Sequence, residues 1–356
     1  MKATNTSAQN AEQRGLPLNC YKCIDIHTHV VPEHFPTYAG RHAEVRWPST
    51  VPAHACHRHV MISGSVYRTV ADLCWDGDKR IKEMKEQRVG RQVLSAMPEL
   101  LSYWLDVADG NRLSRYLNEK IAELVGHAPD RFIGLGVVPL QDVGAAIKEL
   151  EFLFHDLKLS GVEIGTNVNG IVLGDPRLEP FLAAAEQLGA AIFVHPLRPA
   201  GKERLVGGAG LEQVLAFPGE TGLAAASLVT SGVIARHPRL RIAFSHGGGT
   251  LASLLPRLQH GWQVNQTLRE SMPIAPNEAV RMMYYDSLVY DESTLRNLIN
   301  CFGDTQVCVG SDYPFRIREK NPVGRIEDSG LSESVVRQLL SLNAENWLGM
   351  PMASKT

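Results

Sequence analysis

Eight short apolar runs, each five to eight residues long, alternate with helix-like stretches along the whole chain. This alternation restricts the fold more than any other feature. The runs are CIDIHTH (23–29), RQVLSAM (91–97), FIGLGVV (132–138), GVEIG (161–165), AAIFVH (190–195), RIAFSH (241–246), MMYYDS (282–287) and TQVCVGSD (305–312). Among the intervening stretches, DKRIKEMKEQR places Ile81 and Met84 three apart. GDPRLEPFLAAAEQLG has Pro176 near its start and Gly189 at its end, a helix start and a helix stop. Eight strands, each followed by a helix, is the count of an α/β (β/α)8 TIM barrel. A doubly wound sheet would carry a Gly-rich dinucleotide turn after its first strand, and this chain has none there.

Two stretches break the alternation. Residues 36–75 hold prolines, glycines and scattered histidines and form a long insertion after strand one; residues 197–220 form a second, Gly-rich one. Insertions of this kind lie at the C-terminal mouth of a barrel, where active sites are built. SESVVRQLLSLNAENWLG, near the end, reads as a C-terminal helical extension packed outside the barrel. Residues 1–20 read as a polar N-terminal tail without the apolar stretch of a secretory signal, which leaves 21–350 as a single barrel domain. The formal net charge of −2 gives no general attraction to nucleic acid or to an anionic membrane. No apolar run approaches the roughly 18 residues of a membrane helix. Six scattered cysteines are too few for a disulfide framework, so the expected location is cytoplasmic.

Chemistry gathers at strand ends. With a side-chain period of two, Asp25, His27 and His29 are expected on one face of strand one, and Ile24, Ile26 and Thr28 on the other. His195 closes strand five, His246 strand six and Asp312 strand eight. A barrel brings these ends to one mouth, and neutral imidazoles with a carboxylate suit Zn²⁺ or a similar first-row ion with one position left for water. HGGGT, at 246–250, is either a Gly-rich turn whose N–H groups meet an anion or simply a tight turn. Cys20 and Cys23 are spaced like half of a structural zinc site that Cys56, His57 and His59 would have to complete, but no second such pair exists.

Taken in order, DIHTH, FVHP, SHGGG and VGSDYPF resemble the decarboxylase branch of the amidohydrolase superfamily, a likeness running from about Cys23 to Leu348. The resemblance implies that His27, His29, His195 and Asp312 hold one Zn²⁺ per subunit, or another divalent transition metal, and that His246 stands beside it as acid/base. It implies that Arg68 binds a substrate carboxylate, and that Arg257 does so in a neighbouring subunit, making the protein a homodimer with shared sites. Two-metal hydrolases of the superfamily bridge their ions with a carboxylated lysine at the end of strand four. GVEIG has no lysine there, which favours one metal. Glu163 departs from the glutamine of close family members, and is either a substrate contact or a buried acid paired with a neighbour. The family's Pro-Trp-Asp after the strand-five histidine becomes Pro196, Leu197 and Arg198. If Arg198 faces the pocket, the substrate carries a further anionic group; otherwise it points to solvent.

The expected function is a carboxy-lyase: a metal-dependent, non-oxidative decarboxylase of a small unsaturated or aromatic carboxylic acid. The alternative is a metal-dependent hydrolase acting on a C–C bond of a ring-cleavage product, or on a lactone or amide. Neither nucleic acid nor membrane is an expected partner.

Overall fold

The computed structural model describes residues 22–40 and 45–350. The tail expected over 1–20, and Cys20 with it, lies outside the described residues. Eight parallel strands follow one another around a sheet: β1 Cys23–Val30, β2 Val89–Ala96, β3 Phe132–Gly136, β4 Gly161–Gly165, β5 Ala191–His195, β6 Arg241–Phe244, β7 Tyr284–Asp286 and β8 Val307–Cys308. Residues 309–313 continue β8 alongside β1. Ile26 N donates to the Val309 carbonyl (2.8 Å), Asp312 N to that of His27 (2.9 Å) and His29 N to that of Tyr313 (2.7 Å), which closes the barrel.

Helices α1 Gly77–Glu86, α2 Val107–His127, α3 Val143–His155, α4 Glu179–Leu188, α5 Phe217–Thr230, α6 Leu251–Val264 and α7 Glu292–Phe302 alternate with the strands. Four of them open on an aspartate (Asp76, Asp106, Asp142, Asp291) whose carboxylate accepts the N–H three residues on, satisfying one of the orphan donors of the first turn. Gly189 ends α4 at φ +66°, a left-handed cap that glycine takes without steric cost.

The insertion forms a three-stranded antiparallel sheet, Ser49–Pro52, His57–Ile62 and Ser65–Ala71, in which Arg68 pairs with Val60. The second interruption contains only short turns of helix, Lys202–Arg204 and Glu212–Ala216, before it runs into α5.

Strand alternation sorts side chains between two cores. On β5, Ile192 and Val194 face the helices, whereas Phe193 packs in the barrel interior with Ile26, Leu135 and Ala243. The final helical run, residues 333–348, does not merely pack outside the barrel as its sequence suggests. Trp347 and Leu348 join the interior cluster, Trp347 stands 6.2 Å from the Phe193 ring, and its Nε1 donates to the Arg241 carbonyl at the start of β6. The helix is the floor of the barrel. An amphipathic pattern reveals that a helix is covered, but not which surface covers it.

β1 departs from strict alternation. Asp25 pairs with Gln92 and Thr28 with Leu94, so three steps on β1 match two on β2. This bulge breaks the expected common face of Asp25, His27 and His29. Ile24 and Ile26 point into the interior cluster, and beyond the extra residue His27 follows them inward, its ring 5.0 Å from that of Phe193. Asp25 instead accepts from Ser311 N (3.1 Å), Ser311 Oγ and His27 N (3.2 Å), tying β1 to the strand that closes the barrel.

Among the described residues no helix is long and apolar enough to cross a membrane. Replacing Trp347 with alanine should open a cavity in the floor and cost about 3–5 kcal/mol. Urea unfolding of the wild type and variant measures it, and a loss below about 1 kcal/mol would mean that the floor is not part of the cooperative core.

Candidate metal centre and active site

Four side chains from three strand ends meet at the mouth. His27 and His29 come from β1, His195 ends β5, and Asp312 follows β8 at φ +64°. One ligand atom from each lies within 4.8 Å of all the others, and all four residues are buried. His27 Nε2 is 3.1 Å from His29 Nε2, and Asp312 Oδ1 is 3.6 Å and 3.3 Å from these two nitrogens. Zinc–nitrogen bonds of about 2.0–2.1 Å in a tetrahedron set ligand atoms roughly 3.3 Å apart, so these separations fit a bound ion.

The ring nitrogens that face away from the site are occupied. His27 Nδ1 meets Asp286 Oδ2 at 2.6 Å, His29 Nδ1 the Ala96 carbonyl at 3.2 Å, and His195 Nδ1 the Pro196 carbonyl at 3.0 Å. Each Nδ1 carries the proton that its acceptor requires. Each Nε2 is thereby directed into the cluster, the arrangement by which outer hydrogen bonds fix metal-binding imidazoles. Three converging ring nitrogens and a carboxylate call for a cation, which is a proton on His27 until a metal ion displaces it. The donor set is that of a first-row divalent ion, and these residues form a metal-binding site.

Burial and charge set the protonation of the cluster. Burial pushes His29 down to about 4 and His195 well below its ordinary value, so both are neutral at pH 7. Burial also pushes His27 down, but the hydrogen bond and charge of Asp286 outweigh it and raise the ring to about 9. Burial raises Asp312, yet its contact with the His29 ring and the charge of His27 leave it below the usual carboxylate range.

His246 lies outside the ligand set, in a turn after β6, at φ +54°. Its ring is 5.3 Å from His27 and 5.2 Å from His195, its Nδ1 is 3.2 Å from Ser245 Oγ, and burial pushes it to about 4. The glycines beside it form a turn and not an anion site. Gly247 N donates to Asp286 Oδ1, Gly248 N to the Ser245 carbonyl, Gly249 N to that of His246 and Thr250 N to that of Pro218. A Cβ on Gly249 would stand 2.0 Å from the Pro218 carbonyl oxygen, so close approach explains the glycine.

A cavity of about 990 Å³ opens onto the centre, and His195, His246, Asp312, Arg68, Phe315 and Arg198 are among its lining. Phe315 stacks on His29 at 5.1 Å, and the Arg68 guanidinium lies 4.2 Å from the centre of the same Phe315 ring. Arg198 faces the cavity wall and is about one-third exposed. Glu163 does not line the cavity. It is fully buried on β4 with Oε2 3.7 Å from His29 Nδ1, its oxygens lack well-formed hydrogen bonds, and burial raises it to about 8. Arg257 is exposed on α6 and does not line the cavity of its own chain. Cys23 is buried at the start of β1, and Cys56 is exposed on the insertion sheet.

Two supporting residues escaped the sequence reading. Asp286 ends strand seven as His195 ends strand five, and its position is the signal that pointed to it. Arg80, fully buried in α1, donates to the His29 carbonyl (2.9 Å), Thr28 Oγ1 (3.1 Å) and Gln92 Oε1 (3.2 Å), holding the outer side of the bulge. Nothing in the amphipathic pattern of α1 distinguishes it from a surface arginine.

The fold and centre define a barrel enzyme of the metal-dependent kind. Residues 24–350 match the family described as Amidohydrolase, and the chain belongs to that family, in its decarboxylase branch. Over 329 residues it is 39% identical to 2-amino-3-carboxymuconate-6-semialdehyde decarboxylase of Dictyostelium discoideum, covering 92% of this chain and 91% of the relative. Among solved structures it resembles 5-carboxyvanillate decarboxylase from Sphingomonas paucimobilis (TM-score 0.70, 28% identity, 77% and 83% of the two chains). It shares its fold with the 5-carboxyvanillate decarboxylase of Novosphingobium aromaticivorans, solved with manganese and a nitrobenzoic acid (TM-score 0.70, 22% identity, 78% and 82%).

Because His27 is protonated at pH 7 without metal and must be neutral to ligate, binding one ion should release about one proton. Calorimetry in buffers of different ionisation enthalpy measures this release. Asp286→Asn should lower metal affinity by about 10–100-fold and reduce the release. Unchanged affinity in that variant would remove Asp286 from the centre.

Proposed function

We propose that this protein is a metal-dependent, non-oxidative decarboxylase of a small unsaturated or aromatic carboxylic acid, with one Zn²⁺ held by His27, His29, His195 and Asp312. The observation that carries this reading is one cavity lined by two of the four ligands, His195 and Asp312, by a neutral histidine outside the set, and by an arginine without a carboxylate of its own. Among the described residues Arg68 has no ion-pair partner, so its planar fork is free to take a substrate carboxylate through two parallel hydrogen bonds. Phe315, stacked on His29, holds the Arg68 guanidinium over its ring and so fixes that cation beside the centre.

Bound metal supplies positive charge that polarises a substrate oxygen and draws electron density from the reacting carbon. The rest falls to the chain. Arg68 orients the carboxylate. His246, held neutral by burial and engaged through Nδ1, takes up a proton at its other ring nitrogen from the solvent-open cavity and passes it to the carbon that loses CO₂, returning to the neutral ring. The electron pair of the broken C–C bond ends in the new C–H bond. Glu163, away from the cavity, acts on His29 and not on substrate. Arg257, exposed and outside its own cavity, reaches the substrate of a second copy, so the working unit is a homodimer.

The test incubates zinc-loaded protein with 2-amino-3-carboxymuconate semialdehyde, and then with 5-carboxyvanillate, following substrate and CO₂ together. Matched loss and release from at least one of them is expected; addition of water with the carboxylate retained would make the enzyme a hydrolase. His246→Ala should lower turnover by about 10²–10⁴-fold with one metal ion still bound per chain. Normal turnover in that variant would exclude His246 from the chemistry.

A further inference from the structure

The loop after β5 fixes one arginine from both sides. Leu197 N donates to Thr166 Oγ1 (3.2 Å) and its carbonyl accepts from Asn167 Nδ2 (2.8 Å). Three residues further on, Ala200 N donates to the buried Glu220 carboxylate (2.9 Å). Between these anchors Arg198 is held at φ +47°, a conformation that a non-glycine residue keeps only where its surroundings impose it. Its guanidinium lies 3.8 Å from the centre of the Trp104 ring, and that of Arg46 lies 4.7 Å from the same ring.

Two cations against one ring repel each other unless something balances them. Glu99 does so, with Oε1 3.6 Å from Arg198 Nη2 and 4.0 Å from Arg46 Nη2. Both separations are longer than a well-formed hydrogen bond, so the carboxylate offsets charge while leaving most N–H donors free. Arg46 spends one, its Nε, on Ser63 Oγ (3.1 Å). Nearby Lys202 is matched by Glu212 at 3.5 Å. Arg46 and Arg198 against the single charge of Glu99 therefore leave one positive charge on this wall of the cavity, which all three line. The cavity, at about 990 Å³, has room for a substituent that extends from the metal centre to this wall.

We infer that Arg198 and Arg46, held against Trp104 with Glu99 as their counter-charge, form a second anion subsite that selects substrates bearing a carboxylate beyond the one that is lost. The inference rests on the decarboxylase reading and narrows its substrate class to dicarboxylic or more highly charged acids. The ring fixes both guanidinium planes before ligand arrives, so little side-chain entropy is lost on binding. Glu99 sets the threshold. A weakly held monoacid gains nothing there, whereas a second carboxylate meets donors already aligned.

Calorimetric affinities of benzoate, isophthalate and terephthalate for the zinc-loaded protein test this, in wild type, Arg198→Ala and Glu99→Gln. At least one dicarboxylate should bind roughly ten-fold or more tightly than benzoate. Arg198→Ala should bring that ratio to within about two-fold, the loss falling on the dicarboxylate, and Glu99→Gln should widen it by removing the competing carboxylate. Trp104 fluorescence should respond to the preferred dicarboxylate in wild type and not in Arg198→Ala. Zinc content of one ion per chain verifies that each variant is folded. A ratio unchanged by Arg198→Ala overturns the subsite and leaves the decarboxylase reading standing; failure of all three acids to bind zinc-loaded protein removes both.

Discussion

Between Asp25 and Thr28 the first strand advances three residues while its neighbour advances two, and in a structure with a side-chain period of two that single step exchanges faces. Below the step, Ile24 and Ile26 fill the barrel interior; above it, His27 and His29 turn toward the mouth. The irregularity exposes polar backbone groups in a fully buried strand, and each must find a partner. Asp25 takes the His27 N–H, Arg80 reaches the His29 carbonyl, and the His27 carbonyl accepts from Asp312 N. The same groups that repair the bulge also place a ligand, since Asp312 is held to the residue beside which it must act.

The centre then follows from the way the imidazoles are tethered. Each spends Nδ1 on an oxygen and turns Nε2 inward, and two Nε2 atoms end 3.1 Å apart. In a buried, weakly polarisable setting such an arrangement repels itself unless positive charge lies among the lone pairs. Asp286 contributes twice, bonding His27 with one oxygen and the Gly247 and Leu288 N–H groups with the other. It thereby fixes a ligand and the turn that presents His246 in one piece of geometry.

Much of this was legible in the chain. The barrel could be read because eight apolar runs at regular intervals admit few topologies, and the four ligands because histidine and aspartate at strand ends are out of place in a core. Asp25 was misread, because periodicity assumes an unbroken strand and a bulge leaves no mark in a run such as CIDIHTHV. Asp286 was visible but unremarked: its place at a strand end matches that of His195, and its role comes from the contact with His27. Arg80 and Glu99 were not legible at all. Their importance comes from what approaches them across 52 residues of chain in one case and 99 in the other, at Thr28 and Arg198. Sequence pattern reports local period, and contacts of that span lie beyond it.

Three of the four ligands come from the two edges of the sheet, two from the first strand and one from the segment after the last, and these edges are neighbours only where the barrel closes on itself. An ion bound there works as a clasp on the seam. A chain whose final strand has yet to dock, or one cut short before Asp312, offers three of the four ligands and no carboxylate. The full ligand set therefore exists only in a molecule whose ring has been completed, and a metal ion bound there favours the closed barrel over the open one.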